Sequence, residues 1–179
     1  YDERSVYSQT LNLDSIQKQY LMDLLFENYQ PANREYLYNF LYDNCSTRVR
    51  DIIEKSTGNQ ITWIAQPSTK SFWNLLDEYL SRSPWIQWGI HTILGSPATS
   101  VATIREQMFL PDYLMYHLDS AAYNGVPLVQ PIETVYEAPE QDLSTPWYFS
   151  PFFVFAICTL ALILLLQKAK SRRLLKAIA

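Results

Sequence analysis

Apolar residues recur at three- and four-residue spacing through most of the chain, and the breaks between the runs are marked by Pro, Gly and Asn. Ile16, Tyr20, Leu21, Leu24 and Leu25 recur at three- and four-residue spacing and predict a helix over 13–30. Asp14 and Gln17 have the spacing of a capping box, and Pro31 stops the run. The aromatic-rich run 35–41 predicts a strand. After Asp43-Asn44, residues 45–55 predict a second helix with Val49, Ile52 and Ile53 on one face, ended by Gly58-Asn59. Residues 60–64 read as a short extended piece. Residues 71–80 form an amphipathic pattern with Phe72, Leu75, Leu76, Tyr79 and Leu80 inward. Pro84 opens a further helix ending near Gly95, 103–109 is another, and Pro111 opens one over 112–123. Asn124-Gly125 is a turn, 126–136 reads as extended despite Pro127 and Pro131, and 137–146 is an acidic, Pro-containing stalk. The expected class is α+β, mostly helical, with few strands.

The pattern changes at Trp147. The twenty residues 147–166, WYFSPFFVFAICTLALILLL, carry no charge and are apolar on every face. At about 1.5 Å per residue they reach about 30 Å, the hydrocarbon thickness of a bilayer. Trp147 and Tyr148 stand where an interfacial aromatic belt would lie. The following tail, 167–179, is basic through Lys168, Lys170, Arg172, Arg173 and Lys176. The positive-inside bias therefore puts the C-terminus in the cytoplasm and residues 1–146 outside it. Segment 147–179 takes five of the 14 basic residues and none of the 18 acidic ones, so the remainder is strongly acidic. The chain starts at Tyr1 without a signal-peptide pattern. An outside domain needs an export device, so the expectation is a fragment or processed product of a longer protein.

Composition excludes several classes. Four glycines and an aromatic content of 15% exclude a flexible linker or a collagen-like chain. A net charge of -4 argues against nucleic acid as a partner. Two cysteines and two separated histidines supply neither a disulfide scaffold nor a metal site, so no metal and no cofactor are expected. There is no phosphate-binding glycine loop, no G-x-S-x-G and no H-E-x-x-H.

Cys45 is the one cysteine outside the apolar segment, and Cys158 lies in the middle of that segment. Cys45 stands at the predicted start of a helix, after Asn44 and before Ser46-Thr47. A helix start favours a thiolate, and its free N–H groups can hold an oxyanion. Arg48 and Arg50 add positive charge along the same stretch. Cys45 is therefore the candidate nucleophile, with Asn44, Ser46 and Arg48 as candidate supporting residues. The competing readings are a small apolar residue packed at a helix start, and a glycosylation sequon at Asn44-Cys45-Ser46. Asp43 would cap the helix or orient a base, with capping favoured. Tyr36, Tyr38 and Tyr42 read as core or strand face. Trp63, Trp73, Trp85 and Trp88 read as core or membrane-facing.

The stretch Tyr42-Asp43-Asn44-Cys45-Ser46-Thr47-Arg48-Val49-Arg50-Asp51 resembles the cysteine motif of the bacterial Lnb-type N-terminal periplasmic domain family. Leu94-Gly95-Ser96-Pro97-Ala98 and Glu106-Gln107-Met108-Phe109-Leu110-Pro111-Asp112-Tyr113-Leu114 resemble a second stretch of it. The resemblance covers about residues 1–135. It implies the C-terminal part of a permuted, papain-like (NlpC-like) thiol fold, followed by a transmembrane helix. It divides the chain into the outer domain at 1–136, the stalk at 137–146, the membrane helix at 147–166 and the tail at 167–179.

In chemistry, the resemblance implies a Cys45 thioester and acyl transfer or hydrolysis on a membrane lipid or lipoprotein substrate. The alternatives are a cell-envelope peptidase or amidase of the same thiol class, and a non-catalytic envelope subunit with a protein partner. The permuted arrangement puts the base histidine before the cysteine, and no histidine precedes Cys45 here. The base is expected in chain upstream of Tyr1. His91 and His117 are the alternatives; His91 is read as a structural histidine and His117 as a surface position.

Overall fold

The computed structural model describes residues 4–64, 68–139 and 145–178, with side chains through residue 169. It is a mixed α/β arrangement dominated by helix. It separates into two compact units: Tyr1–Phe72 with Ser100–Glu140, and Trp73–Thr99 with Gln141–Ala179.

In the first unit, strand β1 (Val6–Ser8) pairs antiparallel with β5 (Glu133–Tyr136). Helix α1 (Ser15–Tyr29) starts at the expected box: the Asp14 carboxylate accepts from the Gln17 N–H at 2.8 Å, and the Gln17 side chain accepts from the Asp14 N–H at 2.9 Å. Helix α2 (Cys45–Ser56) leads through Gly58 and Asn59, both at positive φ, into β2 (Ile61–Thr62). Short α5 (Ile104–Gln107) and α6 (Pro111–Ser120) follow, then the hairpin β3 (Ala122–Tyr123) and β4 (Val126–Pro127). The hairpin turn is the expected Asn124-Gly125, at φ 50° and 78°, a region open to Asn and Gly at little cost. Strands β2, β3 and β4 form one antiparallel sheet. The core of this unit is Leu13, Ile53, Met108, Leu114, Leu118, Ala121, Leu128 and Val129, with Leu11, Leu21, Ile61, Trp63, Ile104 and Tyr123 packed against it.

The second unit is built from α3 (Phe72–Leu80, entering from the first unit), α4 (Pro84–Leu94) and α7 (Pro151–Ile178). Helix α4 begins on Pro84 and ends on Gly95 at φ 60°, as the sequence predicts. The apolar segment does not start as one helix. Trp147–Phe149 is a 3-10 turn, and α7 begins at Pro151 with the Ser150 hydroxyl accepting from the Phe153 N–H. Its stretch Pro151–Ala169 is long and apolar enough to cross a membrane, with none of its best window buried. The expected stalk falls largely outside the described residues, at 140–144.

One expectation fails, and two helices choose a buried face that their spacing leaves open. The run 35–41 is no strand; it is exposed over 35–40 and closed by a turn that buries Leu41. Asn39 and Asp43 exchange backbone hydrogen bonds at 2.9 Å, and the Asn39 carbonyl side chain accepts from the N–H groups of Leu41 and Tyr42. An Asn that satisfies local backbone donors competes with a ladder and wins here. The inner face of α1 is Leu13, Gln17 and Leu21, while Ile16, Tyr20 and Leu25 lie exposed. The α1 sequence is apolar on two faces, so spacing alone does not choose between them. Helix α2 buries Ser46, Thr47, Arg50 and Ile53, and Val49 is half exposed.

Candidate functional site

The site is built around the first turn of α2. Asn44 is its N-cap: Oδ1 accepts from the Thr47 N–H at 3.0 Å, and the Thr47 hydroxyl accepts from the Asn44 N–H at 2.8 Å. This closes a capping box with Thr in place of the usual Glu. The Asn44 amide does further work. Its Nδ2 donates to the Phe40 carbonyl at 2.9 Å and to the Phe109 carbonyl at 2.8 Å. Ser46 Oγ, also buried, donates to the Met108 carbonyl at 2.8 Å. The two stretches that carried the family resemblance therefore meet: residues 44 and 46 are fastened to the backbone of 108 and 109. Phe40, Phe72 and Phe109 pack edge to face beneath the turn, with centroids 5.9 and 5.4 Å apart, and Tyr42 leans on Phe72 at 5.6 Å.

Cys45 occupies the first position of this helix, and its thiol is solvent-exposed. The reading of a packed small residue is thereby overturned for its side chain. The N–H groups of Cys45 and Ser46 have no acceptor among the described residues, as expected for the first positions of a helix. Among the described residues, then, an exposed sulfur sits with two unpaired N–H donors at the positive end of a helix dipole.

The supporting roles read from sequence need correcting. The Asn44 side chain is consumed by the cap and two carbonyls, and the Ser46 hydroxyl by Met108, so neither side chain is free to face a substrate. Asp43 does not cap α2. It takes Arg48 bidentately, Nε to Oδ1 at 2.5 Å and Nη2 to Oδ2 at 2.7 Å. The hydrogen bond from Arg48 holds the Asp43 carboxyl below its ordinary value. Arg48 also lies over the Tyr36 ring, 4.0 Å from its centroid. Arg50 is turned inward, donating to the Arg105 carbonyl at 2.8 Å and to Asp51 Oδ1 at 2.7 and 2.9 Å. Asp51 and Glu54 pair in turn with Arg105, and Trp63 Nε1 donates to Glu54. The two arginines are thus neutralised within the fold instead of adding bare charge beside the thiol.

Sequence reasoning missed the aromatic surroundings. Tyr36, Tyr38 and Tyr42 are at the surface, not in the core, alongside Leu37 and Phe40. Tyr38 lies close enough to Cys45 to feel a charge there. Its phenol is pushed above the ordinary value, first by desolvation and then by the negative charges Cys45 and Tyr36 carry when ionised. The Asn-x-x-Thr spacing at 44–47 was the available signal for the cap; nothing in the sequence signalled Tyr38.

Neither imidazole is hydrogen-bonded to the thiol among the described residues. His117 Nε2 meets Gln107 Oε1 at 3.2 Å, and burial pushes its pKa down. His91 stacks on Trp73 at 4.8 Å, with Nε2 2.8 Å from Asp77 Oδ1 in a bent contact that is not a hydrogen bond. His117 is therefore part-buried, not at the surface as expected, and His91 is held between Trp73 and Asp77. A groove of about 700 Å³ runs beside the first unit's α1 and α2, lined by Glu27, Glu35, Tyr36, Asp43, Arg48 and Lys55 among others. No cluster of His, Cys, Asp and Glu suited to a metal occurs among the described residues.

Residues 1–78 match the family model described as the Lnb N-terminal periplasmic domain. The match takes in the whole cysteine stretch and stops short of the second one. No curated protein and no solved structure matches the chain. The family match and the one long apolar helix among the described residues are consistent with a membrane-anchored envelope protein.

Proposed function

From the match of residues 1–78 to the Lnb N-terminal periplasmic domain model, we propose that the chain belongs to a membrane-anchored, envelope-facing thiol enzyme. Cys45 acts as the nucleophile of acyl transfer or hydrolysis on a lipid-linked, ester-bearing substrate. Helix α7 crosses the bilayer, the basic tail lies on the cytoplasmic side and the Cys45 unit on the other. The observation that carries this is the exposed sulfur at the first position of a capped helix, beside two N–H groups without an acceptor.

The chemistry runs in two halves. The thiolate adds to the ester carbonyl, and the resulting oxyanion is held by the Cys45 and Ser46 N–H groups. The C–O bond breaks, the alcohol leaves with a proton from the base, and a thioester remains on Sγ. An amine or water then attacks the thioester and frees the thiol. Asn44, Thr47 and Ser46 act as positioning residues, since they fix the turn instead of touching the substrate. The base comes from outside the side chains bonded around Cys45. The exposed Tyr36, Leu37, Tyr38 and Phe40 offer an apolar surface to an acyl chain.

The polar groove lined by Glu27, Glu35, Asp43 and Arg48 favours a second reading, in which the same thiol opens amide bonds of an envelope peptide. Trapping separates the two. Incubation with a labelled diacylated lipopeptide leaves an acyl mass on Cys45 that hydroxylamine removes, and the Cys45→Ala variant folds normally and takes no label. Iodoacetamide alkylates Cys45 in the folded protein at neutral pH. A thiol that reacts only after unfolding would sink both readings.

A further inference from the structure

Helix α4 contains no charged residue and buries no residue fully, which is unusual for a helix facing water. Two of its three polar side chains, Gln87 and His91, are turned onto α3 and away from solvent, while Thr92 is exposed. Gln87 Nε2 donates to Asp77 Oδ1 of α3 at 2.7 Å, and His91, one turn on, lies against the same carboxylate and on the Trp73 ring. A separate face, about a third of a turn away, carries Ile86 and Ile93, two turns apart and 57% and 81% exposed, with Ile90 between them. Polar groups inward and isoleucines outward is the inverse of an amphipathic helix in water.

The position of α4 along α7 says what covers those isoleucines. Trp85 and Trp88 both pack on Phe155, with centroids 5.7 and 5.2 Å away, and Trp85 Nε1 donates to the Phe149 carbonyl at 2.6 Å. Phe155 is four residues into α7, about 6 Å below its first residue at about 1.5 Å per residue. The 19-residue stretch Pro151–Ala169 fills the bilayer's apolar thickness with little to spare, so the level of Phe155 is already inside the lipid. A helix docked on Phe155 cannot stand clear of the membrane.

We propose that α4 is an interfacial helix, lying at the outer edge of the bilayer with Ile86, Ile90 and Ile93 in the acyl-chain region. It lies beside the start of α7, and Trp85, Trp88 and Trp147 sit at headgroup level. This rests on the reading of α7 as a spanning helix. The occupant is lipid, because Trp85 and Trp88 hold α4 against Phe155 of the apolar α7 and the isoleucine face carries no group that could recognise a polar partner.

The test uses the whole chain, reconstituted in phosphatidylcholine and phosphatidylglycerol vesicles, with Cys45→Ser and Cys158→Ala as background. Single cysteines replace Ile86, Ile93, Leu162 as a reference inside α7, and Lys18 as an aqueous reference; each carries an environment-sensitive fluorophore. At 86 and 93, lipid-borne nitroxides quench, and the iodide quenching slope falls at least about fivefold below that at 18, as for a site buried beneath the headgroups. Iodide access at 86 and 93 equal to that at 18, while 162 is quenched only from lipid, overturns the proposal and leaves α7 spanning. Shielding of 86 and 93 from both quenchers also overturns it, in favour of a protein contact. Iodide access at 162 removes the spanning reading itself and this proposal with it.

Discussion

Asn44→Asp separates two jobs that a capping scale merges. Asp and Asn are about equally good N-caps, so if capping were all that Asn44 does, the change would cost only a few tenths of a kcal/mol. In the structure the Asn44 amide also donates to two carbonyls, Phe40 at 2.9 Å and Phe109 at 2.8 Å. A carboxylate keeps the acceptor for the Thr47 N–H and turns an oxygen onto both carbonyls. Two lost hydrogen bonds cost about 1 kcal/mol each, and the oxygen-to-oxygen repulsion adds to that, giving about 2–4 kcal/mol in all. Asn44→Ala loses the same donors and the cap, at about 1 kcal/mol for the latter, but brings no repulsion. The aspartate variant is therefore expected to be at least as unstable as the alanine variant. Urea midpoints of the detergent-solubilised chain, read by circular dichroism, measure the difference. In heating experiments it appears as a drop of about 2–4 °C per kcal/mol. An aspartate variant within about 0.5 kcal/mol of the parent would refute the role given to Nδ2, and with it the fastening of the two stretches.

Arg50→Leu leaves the Arg105 carbonyl without its donor and Asp51 with one arginine instead of two, so the urea midpoint falls by the equivalent of about 2–3 kcal/mol. A loss under about 0.5 kcal/mol, the size of a surface substitution, would contradict its buried bonding. Arg48→Gln breaks a half-exposed ion pair and costs less than about 1 kcal/mol. Because Arg48 lowers the Asp43 carboxyl below 3.8, that small contribution is present above pH 3.8 and lost as acid titrates the pair, which acid titration of both variants checks. Burial holds the His117 imidazole below 6.5, so the unfolded chain takes up a proton that the folded chain refuses. Stability from this source is intact above pH 6.5 and declines as pH falls toward the folded value. His117→Gln flattens that limb of the stability curve, and an unchanged slope would refute the assignment.

The chain's punctuation was legible because it acts locally. Asp14 with Gln17, Pro84 with Gly95, and Asn124-Gly125 set their elements through contacts a few residues apart. The apolar segment was legible by length and by the lack of charge. Helix faces were not. In α1 the apolar residues ring two sides, and the tertiary contacts of Leu13 and Leu21 choose between them. In α2 the buried face is polar because partners from residues 105–109 satisfy it, and nothing inside the helix announces those partners. The same holds at the site: the position of Cys45 on a helix start was readable, while the spending of Asn44, Ser46 and Arg48 on the fold was not.

The bonds from Asn44 and Ser46 span 65 and 62 residues of sequence. Closing a loop of that length costs about 4 kcal/mol of chain entropy, to be met before either bond rewards it. A chain made from its N-terminus thus has its cysteine long before the backbone that holds it, and export would deliver an unarranged thiol ahead of its clamp. The turn that carries Cys45 is then among the last parts of the unit to mature, ordered only once residue 109 has arrived.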